Sequence, residues 1–205
     1  MRRLQHKDQF QGARHEAFVA ATCIRAGYDI DYEDESDGTT RHVEFTATHR
    51  ATGQKVSVEA KSRHRPGVLG REGTSVGSEL VDAGIQRLIA DALRKPASEP
   101  LVIFLDLNLP PYSPEHTTKE WFEKIADPIL EKHAIGKSND PWNLLLFSNI
   151  PNHYADDDSP APRAYINGLF GRNPVILEKH PEALKALFDA AMKFGNLPNS
   201  FEEMQ

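Results

Sequence analysis

Apolar residues recur along this chain with two different periods, and the switches between them outline a set of elements. From Arg14 to Ala26, Ala17, Phe18, Ala21 and Ile24 fall at helical spacing, with Val19 and Cys23 beside them, and Gly27 stands where a helix C-terminal cap belongs. Tyr28 to Tyr32 reads as a short strand. Arg41 to His49 then alternates Val43, Phe45 and Ala47 with polar residues, which is strand periodicity. Thr52-Gly53-Gln54 predicts a turn. Beyond it, Lys55 to Lys61 alternates again, with Val56, Val58 and Ala60 on one face and Ser57, Glu59 and Lys61 on the other, so the two segments are expected to form a hairpin.

Pro66 to Ser78, with glycines at 67, 70, 73 and 77, has no apolar face and predicts a loop. Glu79 to Arg94 returns to helical spacing through Leu80, Ala83, Ile85, Leu88, Ile89 and Leu93 and stops before Pro96. LVIFLDLNL, from Leu101 to Leu109, is apolar almost throughout and of strand length, as a strand buried on both faces requires. A helix over Thr118 to His133, a strand over Trp142 to Ile150 and a helix over Pro181 to Phe194 complete the series. The pattern predicts one α/β unit with a C-terminal continuation.

Composition narrows the class. At 205 residues with 39% hydrophobic and 26% charged side chains the balance is globular, and no apolar run approaches the roughly 18 to 20 residues of a membrane span. MRRLQHKDQFQGARHE begins with basic residues but carries no apolar stretch behind them, so no secretory signal is expected and a cytoplasmic location is. The single cysteine, Cys23, excludes an internal disulfide and a cysteine zinc cage, and its place in the first helix predicts an inert core thiol.

Net charge is −6 with a pI near 5.8, which argues against a uniformly basic nucleic-acid coat protein. The charges are segregated, however. Asp29 to Asp37 holds six acids and no base, whereas Arg50 to Arg71 holds six Lys or Arg against the single acid Glu59. A local basic strip can dock a phosphate backbone while the rest of the surface is acidic, because exposed charges more than about 10 Å apart are largely screened.

Glu59-Ala60-Lys61 is the only Asp/Glu-x-Lys in the chain. Its two charged side chains, two residues apart on a strand, share one face, where the carboxylate can bind a metal while the ammonium approaches the same phosphate. Glu44 lies on the polar face of the preceding strand. Two carboxylates on neighbouring strands repel unless a cation sits between them, and oxygen ligands of this type suit Mg2+ or Mn2+.

A helix carrying Glu16 in RHEAFVAA, a strand carrying Glu44 in HVEFTAT, a hairpin partner reading VSVEAKSR, then a helix and a strand together resemble the PD-(D/E)xK nuclease superfamily, over roughly residues 12–109. The resemblance implies a restriction-endonuclease-like αβββαβ core over about 12–109, with about 110–205 as a C-terminal α/β extension. It also implies that Glu44 and Glu59 bind the metal, that Lys61 positions or activates the attacking water, and that Glu16 from the first helix adds a third carboxylate, as in Holliday junction resolvases. Gln86 in GIQRLIA matches a glutamine common in nuclease branches. The chain departs from the pattern in having Glu rather than Asp first, no preceding Pro, and Ala90 where some branches carry a tyrosine four residues after the glutamine. Asp37 in SDG is a rival for the first acid.

The expected activity is therefore metal-dependent hydrolysis of phosphodiester bonds, with DNA as the expected substrate and Arg63, Arg65 and Arg71 as phosphate contacts. Two other classes stay open: a noncatalytic nuclease-like structural or regulatory module, and an RNA-cleaving defence effector, for which no stacking aromatics alternate with the basic strip. No DNA-recognition helix is apparent, which leaves a homodimer or a targeting partner as ways to find a substrate. The nine histidines have no zinc-ligand spacing, and no phosphate-cradling glycine motif occurs.

Overall fold

The computed structural model describes residues 2–32, 42–66, 84–108, 125–133, 141–149, 165–170 and 180–194. Among them lie four α-helices, α1 (Lys7–Arg25), α2 (Ile85–Leu93), α3 (Asp127–Lys132) and α4 (Pro181–Phe194), after a short 3-10 turn at Arg2–Gln5. The strands are β1 (Tyr28–Tyr32), β2 (Phe45–His49), β3 (Lys55–Ser62), β4 (Leu101–Asp106), β5 (Leu144–Asn149) and β6 (Tyr165–Phe170). They form one mixed sheet in sequence order. β1, β2 and β3 are antiparallel neighbours, β3, β4 and β5 run parallel, and β6 returns antiparallel to β5.

Side-chain alternation splits the core into two layers. Val102 and Phe104 of β4, Leu144 and Leu146 of β5, and Val56, Val58 and Ala60 of β3 face α1 and α4, where they meet Val19, Cys23, Leu184 and Leu187. Ile103, Leu105, Leu145 and Phe147 point the other way, onto Ile85 and Ile89 of α2 and Ile129 of α3. This is why β4 and β5 read as unbroken apolar runs: both faces are covered by helices. The C-terminal part is built into the same core, with α4 packed on the β1–β5 face and the Tyr28 hydroxyl donating to the Ala183 carbonyl at 2.9 Å.

The turns follow the expected chemistry. Gly27 ends α1 at φ +88°, and Gly53 closes the β2–β3 hairpin at φ +69°, both in the left-handed region that glycine enters without steric cost. Three elements differ from the pattern reading. α1 starts at Lys7, a full two turns before the apolar periodicity, because large buried residues early in it are polar: Gln11 and His15 precede Val19 and Cys23 on the same stripe, with only the small Ala13 between them. β6 has Asn167-Gly168 at its centre, a pair that reads as a turn rather than a strand.

The third difference concerns β2, which starts at Phe45 rather than Arg41. Phe45 is paired with Val58, yet the Glu44 N–H also donates to the Val58 carbonyl, at 3.0 Å. Two successive residues thus address one partner, the arrangement of a β-bulge. Alternation breaks there: Phe45 and Ala47 join the α1/α4 layer, while Val43 packs in the α2/α3 layer.

Candidate functional site

β3 carries the central pair. With Val56, Val58 and Ala60 facing α1, the alternate residues Ser57, Glu59 and Lys61 face the α2 side. Ser57 accepts the Glu99 N–H on its hydroxyl at 3.1 Å and so fastens the segment between α2 and β4 to β3. That segment begins with Lys95, whose N–H donates to the Ala92 carbonyl just past the end of α2. Its ammonium reaches back over β3.

Glu59 is completely buried. Its Oε1 receives the Lys61 ammonium at 2.5 Å and the Lys95 ammonium at 2.8 Å, and Lys95 is simultaneously 3.0 Å from Glu44 Oε1. Two carboxylates on adjacent strands thus share one cation, and that cation is a lysine side chain. Glu59 Oε2 is buried and receives no hydrogen bond among the described residues. Burial pushes the Glu59 carboxyl above its usual range, against the pull of Lys61 and Lys95. For Lys95, burial opposes the ammonium, but the Glu59 and Glu44 carboxylates outweigh it and hold the group above its ordinary value. Lys61, Lys95 and Glu44 keep 21%, 20% and 16% of their side-chain surface in contact with solvent, so the group opens outward from a dry floor formed by Glu59.

The other predicted residues are distributed around this pair. Glu16 sits on α1, which packs against the opposite face of the sheet, and pairs with Arg3 at 2.8 Å. Gln86 lies in the first turn of α2, at the opposite end of the helix from Lys95, and its Oε1 is buried without a hydrogen-bond donor among the described residues. Arg63 is half-buried at the exit from β3, while Arg65 is 5% exposed. Arg71 and Asp37 lie outside the described residues. Among the described residues no three His, Cys, Asp or Glu side chains converge as a metal-ligand group.

A second polar cluster sits at the carboxyl ends of β3 and β4, where Asp106 and Asn108 end an apolar run and read in the sequence as strand-end turn residues. Asp106 is buried; Arg14 of α1 donates to its Oδ2 at 3.1 Å, as does the Ser62 hydroxyl at 3.1 Å. The Asn108 N–H donates to Asp106 Oδ1 at 3.3 Å, and Asn108, at φ +45°, directs its amide N–H groups to Gln11 and to the Arg63 carbonyl, each at 2.9 Å. His15 Nε2 lies 3.3 Å from the Phe104 carbonyl. At Gly12 an added Cβ would come 3.3 Å from His64 Nε2 and 4.0 Å from Glu16 Oε1, so glycine there lets the chain leaving β3 run close against α1.

Lys95 and Asp106 carried weak sequence signals. A lysine after a helix reads as a partner for the helix dipole, and an acid ending an apolar strand reads as a strand-end turn residue. Compared with known proteins, the chain matches no family model, no curated protein and no solved structure.

Proposed function

We propose that this chain is a divalent-metal-dependent nuclease of the PD-(D/E)xK kind, acting on DNA through Glu44, Glu59 and Lys61. The observation that carries this reading is the convergence of Glu44 and Glu59 on a single cation, 3.0 and 2.8 Å away, with the Lys61 ammonium against the same carboxylate. The order α1, antiparallel β1–β2–β3, α2, and β4 parallel to β3 supports it, since that is the order of a restriction-endonuclease-like core.

The donor set fits a hard divalent ion: two carboxylates, one with a buried oxygen that receives no hydrogen bond among the described residues. Glu44 and Glu59 would hold it. When bound, such an ion supplies an activated water and neutralises charge developing on the phosphate. Lys61, fixed beside Glu59 and partly exposed, offers an ammonium to a phosphate oxygen or to the attacking water. Arg63, two residues on, extends the positive charge along the exit from β3.

A second reading, a noncatalytic nuclease-like module, is favoured by one specific observation. The charges of Glu44 and Glu59 are already matched by Lys61 and Lys95, so the folded chain needs no metal to neutralise them. Incubation with plasmid, linear duplex, single-stranded DNA and RNA in Mg2+, Mn2+ or EDTA separates the readings. The nuclease reading expects metal-dependent cleavage of DNA that is lost in Glu59→Ala and Lys61→Ala; no cleavage of any substrate supports the module, and cleavage confined to RNA moves the substrate class.

A further inference from the structure

We infer that the Lys95 ammonium and a divalent cation are alternative occupants of the Glu44–Glu59 pair, so that Lys95 is a built-in competitor which the metal displaces on loading. This rests on the metal-dependent reading above. Three observations carry it. Lys95 Nζ lies at the point shared by both carboxylates, 3.0 Å from Glu44 and 2.8 Å from Glu59, which is where an ion bridging them must sit. Two positive centres cannot share that point, because charges of like sign a few ångströms apart in a poorly hydrated site repel strongly.

The second observation is charge balance. Glu44 and Glu59 face Lys61 and Lys95, two charges against two. Adding a dication with Lys95 in place leaves an excess of two positive charges, whereas releasing Lys95 to water leaves one. The third is access. Lys95 sits beyond the end of α2 on a flexible stem and keeps 20% of its side-chain surface in solvent, so it can swing outward without disturbing a backbone element. Lys61 is held differently, on β3 and in line with Glu59, and remains to neutralise it. Release of Lys95 frees its contacts on Glu44 Oε1 and Glu59 Oε1 for the incoming ion, and Glu59 Oε2, buried and without a donor among the described residues, is open to the same ion.

Lys95 therefore holds the acidic pair together in the metal-free chain and sets a threshold for metal uptake. The test is calorimetric titration of the full chain with Mn2+ at fixed pH and salt, comparing wild type, Lys95→Met, Lys95→Gln and Glu59→Gln, each verified as folded by circular dichroism. Both Lys95 variants are expected to bind Mn2+ at least about tenfold more tightly than wild type. Glu59-dependent binding in the wild type with no gain in either Lys95 variant overturns the competitor role and leaves the metal site standing. No Mn2+ binding by any variant overturns both.

Should the uncharged variants not fold, the wild type still decides the matter. In protein labelled with 13C at lysine Cε, with the Lys95 signal assigned by its loss in Lys95→Arg, saturating Mg2+ is expected to move that signal to the position of solvent-exposed lysines. A Lys95 signal unchanged by Mg2+ overturns the inference.

Discussion

The side-chain amide of Gln11 clasps the backbone of Arg65 from both sides, its Nε2 donating to the Arg65 carbonyl at 2.9 Å and its Oε1 accepting the Arg65 N–H at 2.8 Å. The same Oε1 accepts from Asn108 Nδ2 at 2.9 Å. One residue in the second turn of α1 thus replaces the strand neighbour that the chain loses as it leaves β3, four residues beyond Lys61. Gln11→Ala leaves buried backbone groups unpaired and is expected to cost about 2–4 kcal/mol, read as a lower urea midpoint with an unchanged m-value. A midpoint within error of wild type would show that solvent replaces the clasp.

Asp106 is the charge around which the second cluster is built, with Arg14, Ser62 and the Asn108 N–H all donating to it. Removing one partner of a buried ion pair strands the other, so Asp106→Ala is expected to lose about 3 kcal/mol. For a chain of this size that lowers the thermal midpoint by about 6–12 °C. Asp106→Asn keeps the shape and one acceptor, and is expected to lose about half as much. A loss in Asp106→Ala with none in Asp106→Asn would assign the effect to packing rather than to charge.

His15 supplies a pH dependence. Burial lowers its pKa below the ordinary value; Asp106, the Phe104 carbonyl and Glu44 push it back up and Arg14 adds to the lowering, but desolvation wins. The folded chain therefore holds His15 neutral, with the proton on Nε2 facing the Phe104 carbonyl, while the unfolded chain binds a further proton below about pH 6.5. Stability contributed by the neutral ring is complete above that pH and is lost as pH falls toward the folded-state value, with a slope of at most about 1.4 kcal/mol per pH unit. His15→Gln keeps an N–H donor without the titration. Between pH 7 and 5 the wild type is expected to lose more stability than this variant in chemical denaturation; parallel curves would contradict the assignment.

The elements that apolar periodicity defines are legible in the sequence, and those that polar contacts define are not. β4 and β5 announce themselves because helices cover both faces, and Gly27 and Gly53 mark turns that demand positive φ. The first two turns of α1 are hidden because Gln11 and His15, though buried, pack on polar groups at the ends of β3 and β4. The Glu59–Lys61 face follows from strand alternation, and Glu44 is brought to it despite a bulge that local pattern does not foretell. Lys95 is invisible from the sequence for a different reason: it lies 36 positions from Glu59, and only the β3–α2–β4 crossover brings them together.

The proposed chemistry rests on Glu59, the buried carboxylate on which Lys61 and Lys95 converge. The most direct measurement is the rate of plasmid cleavage in Mg2+ by wild type and by Glu59→Gln, which keeps the side-chain size and removes the charge. Cleavage by the wild type is expected to be abolished by EDTA and to fall at least about a hundredfold in the variant, at unchanged circular dichroism. Equal rates in the two proteins, or no cleavage by a folded wild type in either Mg2+ or Mn2+, would contradict it.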